Sequence, residues 1–396
     1  MTQTTPTDIS PRQLAWLEAE TSRWQRDGLV GADQSAAILA SYHATNRFSL
    51  ARLGLYLGGA FVGIGLLWLV AANLDQLPPL VRFLAITLLW LAAAVGAELI
   101  DWRRSATDKA SPLVGAVRAV AALTFGAVIM QAAQSLQVPA YEPALVGLWG
   151  LGALIHAYAV RGVTPLVVGV TASTVWLVWH VAEGSESLFT AVLTVTLVAV
   201  VSAAAAALHE AGRWPTFAAT WREYGAAITL GGLFVAALPI ESGAITTGPL
   251  VLALLVVALL ATGAALALGS GLSRWEPVGA AAAAALAAGL VIWDPGTDVD
   301  RVGALDWLHA GSAVGGYVLV AAAVAALGIV HDSPRLTWLA VAALVLFTTV
   351  QSFAVFAAII EGAWLFVALG LVFLVTGYLA DRARRGLTAA LEGEEA

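Results

Sequence analysis

The run PLVGAVRAVAALTFGAVIMQAAQSLQVP, residues 112–139, decides the fold class of this chain. Between Leu113 and Met130 its only polar side chains are Arg118 and Thr124. An apolar helix of about 20 residues crosses the hydrocarbon core of a bilayer and satisfies its backbone hydrogen bonds internally. The run therefore predicts a membrane-spanning helix, and two amides, Gln131 and Gln134, lie one turn apart near its end.

The composition extends this prediction to the whole chain. Of its 396 residues 60% are hydrophobic and 11% are charged, and the mean hydropathy is +0.85. Soluble domains carry about 25% charged residues, so this chain cannot cover itself with a polar surface. The absence of cysteine excludes disulfides, thiolate metal sites and cysteine nucleophiles. We predict an all-α fold, a polytopic transmembrane helical bundle.

Twelve apolar segments have the length that a bilayer requires. No cleavable signal peptide precedes them, so the first segment would act as its own insertion signal. The predicted spans are 50–72, 79–99, 113–137, 143–160, 166–182, 188–208, 224–240, 248–270, 277–293, 308–330, 336–357 and 362–380.

The distribution of basic residues orients these spans. With the N-terminus inside, 17 of the 19 lysine and arginine residues fall on the cytoplasmic side, which leaves only Arg82 and Arg301 outside. The outer loops hold ten acidic residues. Because cytoplasmic loops of membrane proteins are enriched in lysine and arginine, both termini are predicted to be cytoplasmic. Lys109 is the only lysine, and this strong preference for arginine suggests a bacterial genome of high GC content.

The chain divides into three predicted segments. Residues 1–47 form a cytoplasmic amphipathic helical hairpin, in which Ser10-Pro11 starts the first helix, Gly28 breaks it and Asp33 caps the second. Residues 48–381 form the transmembrane domain, and residues 382–396 form a charged cytoplasmic tail. The hairpin is too short for a core of its own, so it would rest on the membrane face or the bundle.

Four amides carry the candidate ligand site. Asn73 ends the first span, Gln131 and Gln134 lie in the outer half of the third, and Gln351 lies at similar depth in the eleventh. Polar side chains inside a span usually face the bundle interior. Two interpretations remain open: hydrogen bonds between helices, or a polar cavity that opens outward and receives a ligand. Asp75 and Arg82 are expected to pair across the first outer loop.

Other motifs point to packing rather than to chemistry. The chain has no H-E-x-x-H, P-loop, G-x-S-x-G or dinucleotide fingerprint, so we expect no cofactor, no bound metal and no catalytic residue. His209-Glu210 and His331-Asp332 are expected to be solvated at cytoplasmic helix ends. The stretch GLYLGGAFVGIG, residues 54–65, is expected to allow close helix packing, with an unwound binding helix as the alternative.

Three stretches resemble a family of prokaryotic predicted membrane proteins of unknown function. They are DGLVGADQSAAILASY (27–42), GIGLLWLVAANLDQLP (63–78) and GAVIMQAAQSLQVP (126–139). They correspond to a GLI…EQ turn, a first span ending in A-x-NW and a third span ending in a GQIY-like motif. Asn73 and Gln134 fall on the recurrent amides, whereas Leu74, Ala133 and Ser135 depart from the pattern. The resemblance covers about the first 180 residues and implies an inner-membrane protein without an assigned reaction.

Three functions remain open at this stage. The first is a transporter-like or flippase-like protein whose outer polar site takes an unknown small molecule or lipid-linked ligand. The second is a structural or regulatory membrane protein that meets a cytoplasmic protein through residues 1–47. The third is a glycosyltransferase-like enzyme using Asp75. Beyond the lipid bilayer, an oligomer is compatible with the sequence, and no nucleic-acid partner is expected.

Overall fold

A computed structural model describes most of the chain. The described residues are 7–9, 11–44, 54–65 in part, 78–103, 111–136, 139, 142–185, 187–238, 240, 245, 247–293 and 304–351. The chain forms two compact units, Met1–Thr124 and Phe125–Ala396.

Unit 1 begins with a short helical segment. Strand β1 (Thr7–Ile9) pairs in parallel with β2 (Tyr42–Ala44), and helices α1 (Pro11–Arg26) and α2 (Ala32–Ala40) lie between them. The first helix begins at Pro11, and Gly28 adopts a left-handed φ of 72° after it ends. Gly31, not Asp33, is the N-cap of α2, and the Gln34 side chain accepts a hydrogen bond from its N–H at 3.0 Å.

The rest of unit 1 is helical where it is described. Helix α3 (Pro79–Trp102) is followed by α4 (Pro112–Ser135), which continues into unit 2. A Cβ on Gly59 would lie 3.1 Å from the Ala116 carbonyl oxygen, and one on Gly63 would lie 2.6 Å from Leu123 Cδ1. The packing interpretation of the glycine-rich stretch is therefore confirmed for Gly59 and Gly63.

Unit 2 continues α4 with eight further α-helices among the described residues. They are α5 (Pro143–Val160), α6 (Val163–Gly184), α7 (Leu188–Ala211), α8 (Pro215–Ala236), α9 (Pro249–Leu268), α10 (Glu276–Ile292), α11 (Ala304–Val330) and α12 (Pro334–Gln351). A 3-10 turn, Ser273–Trp275, precedes α10. Most of these helices have a proline at or next to their first residue, where its missing N–H removes no intrahelical hydrogen bond.

The described helices confirm the polytopic all-α prediction, and the β1–β2 pair is a local exception to it. Among the described residues, nine helical segments are long and apolar enough to cross a membrane: α3–α7, α9, Ser273–Ile292, Trp307–Val330 and α12. The predicted spans 50–72 and 362–380 lie partly and wholly outside the described residues, so the total of twelve remains a prediction.

The seventh predicted span differs from the structure. The sequence predicts it at 224–240, but α8 starts at Pro215 and ends at Ala236, and this helix is not among the nine candidate spans. The helix begins at the proline that follows the Arg213-Trp214 turn, so it includes the polar stretch TWREY (220–224) that resembles a loop in sequence.

Helix α7 lies at the centre of unit 2 and packs against α6, α8, α9 and α10. Three aromatic rings join α8, α11 and α12: Tyr317 stacks on Phe347 with ring centroids 3.8 Å apart, and Phe234 meets Phe347 edge to face. Helix α9 exposes an apolar face that includes Leu259 and Leu260. Such a face on a helix long enough to span is typical of contact with lipid.

The two ends of unit 2 differ in charge. At one end, here called the basic end, α5, α7, α9 and α11 finish and α6, α8, α10 and α12 begin. Its turns carry Arg161, Arg213, Arg274 and Arg335. At the opposite end, here called the acidic end, Glu142 caps the start of α5 and Glu183 lies in the last turn of α6. This separation follows the charge bias of the sequence.

Candidate functional site

The residues of the predicted first outer loop are largely outside the described part of the chain. Asn73 and Asp75 both fall there, so the expected Asp75–Arg82 pair has no structural description. Arg82 is half-buried in the first turn of α3 and interacts with a neighbouring group.

The two amides of α4 differ in burial. Gln131 is buried, with 3% of its surface exposed, whereas Gln134 lies on the exposed face of the helix. Three residues advance an α-helix by about 300°, so the two side chains point about 60° apart, and the edge of the buried face falls between them. The amide favoured by the resemblance is therefore the more accessible of the two.

Gln351 is buried without a complete set of partners. It is the last described residue of α12, 6% of its surface is exposed, and its Oε1 has no hydrogen-bond partner among the described residues. The nearby hydroxyls of Thr348 and Thr349 donate to carbonyl oxygens of their own helix, at 2.8 and 2.7 Å. An orphaned buried acceptor costs about 1–3 kcal/mol, so Gln351 is an exception that requires an explanation.

The basic end contains a group of four charged or titratable side chains, here called the charge cluster: Glu210, Arg222, Glu276 and His331. Arg222 Nε donates to Glu276 Oε2 at 2.8 Å, and its Nη2 donates to Glu210 Oε2. His331 Nε2 lies 2.7 Å from Glu276 Oε1, and its Nδ1 lies 3.9 Å from Glu210 Oε2. The cluster joins the end of α7, the second turn of α8, the start of α10 and the turn after α11.

Burial makes these contacts energetically important. The exposed fraction of the side chain is 3% for Glu276, 7% for Arg222, 15% for His331 and 36% for Glu210. Charges removed from water lose several kcal/mol of solvation each and are retained only when they are paired and hydrogen-bonded. The expectation that Glu210 and His331 are solvated at helix ends is wrong, because both pair with groups from other helices. Asp332 is exposed as expected.

The charge cluster contains the residue types that can hold a metal ion. Ligand atoms of Glu210, Glu276 and His331 lie within 4.8 Å of one another. However, Arg222 donates to both carboxylates, and the His331 ring shares a hydrogen with Glu276. Each of these ligand atoms already has a protein partner, and the guanidinium charge repels a second cation. The geometry is that of an ion-pair network.

An aromatic cluster formed by Tyr158, His209, Trp214, Phe217 and Trp221 lies beside the charge cluster. His209 Nδ1 is 2.6 Å from the carbonyl oxygen of Ala205, which can only accept, so this nitrogen carries the hydrogen. In the neutral ring Nε2 then accepts from the Tyr158 hydroxyl at 3.1 Å, and Trp221 Nε1 donates to the same hydroxyl at 3.2 Å. Indole and phenol groups of this kind are typical of a membrane–water interface.

Unit 1 contains a comparable arginine. Arg118, in the second turn of α4, donates through Nε and Nη2 to the two carboxylate oxygens of Glu98, both at 2.7 Å. It also donates to Asp101 at 2.9 Å. Parallel bonds of this kind fix geometry as well as charge, so Arg118 ties the end of α3 to the start of α4. In both units an arginine about two turns into a helix pairs with an acidic residue near the end of the preceding helix.

Part of the chain matches the sequence model of a known protein family, and the match ends at the start of α6. Residues 22–164 match the model of the family described as "Predicted membrane protein (DUF2157)". This match confirms the resemblance recognised in the sequence. The DUF2157 region includes Asn73, Gln131, Gln134 and the Arg118 ion pairs, but Gln351 and the charge cluster lie beyond it. No curated protein and no solved structure matches the chain.

Proposed function

We propose that this chain is a transporter-like or flippase-like protein of a bacterial inner membrane. Both termini lie in the cytoplasm, and a polar small molecule or lipid-linked ligand enters the half of the bilayer next to the acidic end. Asn73, Gln131, Gln134 and Gln351 are the candidate residues for binding it, and the Asp75–Arg82 pair closes the first outer loop.

The single observation that carries this proposal is the orphaned Oε1 of Gln351. A buried amide that served only to join helices would have its acceptor satisfied, because unpaired polar groups are costly away from water. A ligand that offers a hydroxyl, amine or amide hydrogen would satisfy this acceptor. Gln131, buried near the end of α4, places a second amide in the same half of the helical layer.

The distribution of charge supports the orientation. The basic end carries Arg161, Arg213, Arg274 and Arg335, as the cytoplasmic side of a membrane protein does. Gln351 lies at the far end of α12 from Arg335, so this orientation puts the amide in the outer half of the bilayer.

A second candidate function has its own observation. In the N-terminal segment, Trp16 and Leu29 expose 62% and 73% of their surface. Exposed large apolar side chains on a short segment are suited to contact with a protein partner or the membrane face. A structural or regulatory protein that binds a cytoplasmic partner through residues 1–47 is therefore the alternative. No observation favours the glycosyltransferase hypothesis, since Asp75 lies outside the described residues.

Replacing Gln351 by methionine is expected to stabilise the protein. Methionine has a similar volume and removes the orphaned acceptor, so we expect the free energy of unfolding to rise by about 1–3 kcal/mol. Unfolding of the purified protein in mixed detergent micelles, followed by circular dichroism, measures this change.

The matched control is Thr348→Val on the same helix. Thr348 is also buried, but its hydroxyl is satisfied by Leu344, so its replacement should give no gain in stability. If Gln351→Met destabilises the protein, the amide has a structural partner and the proposed ligand site loses its main support.

A further inference from the structure

We propose that the charge cluster binds one proton at His331 and that this proton holds the basic end of unit 2 together. The proposed function does not use this site, so the cluster would bind the proton even if no ligand bound at Gln351.

Counted over the described residues, the cluster lacks one positive charge. Glu210 and Glu276 contribute two negative charges and Arg222 contributes one positive charge, so a neutral His331 leaves a net charge of minus one. A net charge among side chains as buried as Glu276 and Arg222 is costly. A proton on His331 makes the cluster neutral and adds a second charged partner for Glu276.

The geometry around His331 suits a charged imidazole. A carboxylate accepts hydrogen bonds and cannot donate them, so the 2.7 Å contact with Glu276 Oε1 places a hydrogen on Nε2. In the protonated ring Nδ1 also carries a hydrogen, and Glu210 Oε2 lies 3.9 Å from it. The doubly protonated ring thus directs its charge toward both carboxylates of the cluster.

Among the described residues, the charged groups around His331 are those of the cluster, together with Asp332, Arg335 and Glu223. Glu210 faces His331 from α7 and Glu276 faces it from α10, while Arg222 of α8 lies behind both carboxylates. Asp332 follows it in the same turn. Arg335 of α12 pairs at 3.3 Å with Glu223 and so is directed to another acid. Acidic groups therefore outnumber basic ones in direct contact with the imidazole.

Because of the position of His331 in the fold, a proton on this residue strengthens a contact between helices. The residue forms the turn between α11 and α12, and its two carboxylate partners belong to α7 and α10. A proton at this position ties the α11–α12 hairpin to the centre of unit 2. Loss of the proton removes one charge-assisted contact and leaves a net negative charge, so the hairpin is held less tightly. The same hairpin carries Gln351 at the other end of α12.

The test is the thermal unfolding of the full-length protein in detergent at several pH values. Histidine in water exchanges its proton near about pH 6.5, so the range from about pH 5.5 to about pH 8.5 brackets the change and stays above the ordinary range of glutamate. A proton bound in the folded state stabilises at low pH, and this contribution is lost as the pH rises. We expect Tm to fall by a few degrees across this range.

Two variants at position 331 and one control distinguish protonation of His331 from titration of another group. His331→Gln should abolish this part of the pH dependence, and His331→Arg, which keeps a positive charge at every pH used, should retain a high Tm at the alkaline limit. His309→Gln is the matched control, because His309 Nε2 contacts the Leu290 carbonyl and not a carboxylate, and this variant should keep the wild-type profile.

Three results would overturn the inference. The first is a wild-type Tm that does not change across the range. The second is an unchanged pH profile in His331→Gln, which would assign the titration to another group. The third is a wild-type Tm that rises with added Zn²⁺ and falls with EDTA while His331→Gln responds to neither, which would show that a metal ion supplies the missing charge.

Discussion

Replacing Arg222 by alanine should lower the free energy of unfolding by about 3–5 kcal/mol, among the largest losses of any single substitution in unit 2. The guanidinium hydrogen-bonds to Glu210 and Glu276, and the Glu276 side chain is only 3% exposed. Removing the arginine leaves two carboxylates close together without their main counter-charge. Unfolding of the purified variant in mixed micelles measures the loss.

The matched control is Arg335→Ala at the same end of the molecule. Arg335 also contacts one carboxylate, that of Glu223 at 3.3 Å, but its side chain is 75% exposed. Exposed pairs contribute about 0–1 kcal/mol. If the Arg222→Ala variant does not accumulate, the combined variant Glu210→Gln, Arg222→Met, Glu276→Gln should recover folding, because no unpaired charge remains. Equal losses in Arg222→Ala and Arg335→Ala would contradict the buried-cluster interpretation.

Replacing Gly150 by valine should separate α5 from α6 and is the second large effect we expect. A Cβ at this position would lie 2.7 Å from the backbone nitrogen of Ser173, and one on the facing Gly169 would lie 2.8 Å from that of Leu154. Backbone atoms cannot move aside as a flexible side chain can, so the helices must shift. Overpacking typically lowers the free energy of unfolding by about 1–3 kcal/mol. We expect a loss at the upper end of this range for Gly150→Val, because valine is branched and its Cβ meets backbone atoms.

Gly263→Val on α9 is the control for this substitution. No heavy atom lies within 4 Å of a Cβ at Gly263, so the same change in helix propensity occurs there without a clash. Thermal unfolding of both variants in one detergent compares them directly. A Tm for Gly150→Val equal to that of Gly263→Val would show that α5 and α6 are not in close contact.

Much of the helix pattern could be predicted because its signals are local. The fourth predicted span, 143–160, coincides with α5, since Pro143 marks its start and Arg161, with a positive φ of 50°, follows its end. The prediction was wrong for α8 because Arg222 and Glu223 were treated as part of a loop. A charged residue can lie two turns inside a buried helix only if neighbouring helices supply groups of opposite charge. The sequence pattern of the helix does not show those groups.

The site could be predicted only in part, for the same reason. Arg222 contacts Glu276 across 54 positions of sequence, and His331 contacts Glu276 across 55. Each of these residues alone has the sequence signature of a solvated helix end. Hydrophobic periodicity also could not distinguish Gln131 from Gln134, because the boundary of the buried face of α4 depends on the neighbouring helices. By contrast, the burial of Gln351 agrees with the rule that polar residues in a span face the interior.

The accessibility of position 351 from outside the cell tests the central claim most directly. The chain has no cysteine, so single cysteines can be labelled with a small, charged, membrane-impermeant thiol reagent in intact cells. Ile245 and Arg213, both exposed, mark the acidic and basic ends, and Leu346 marks the exposed apolar face of α12. We predict fast labelling of Ile245→Cys, slower labelling of Gln351→Cys, because position 351 is only 6% exposed, and no labelling of Arg213→Cys or Leu346→Cys. Labelling of Ile245→Cys with an unreactive Gln351→Cys would contradict an outward-facing polar site.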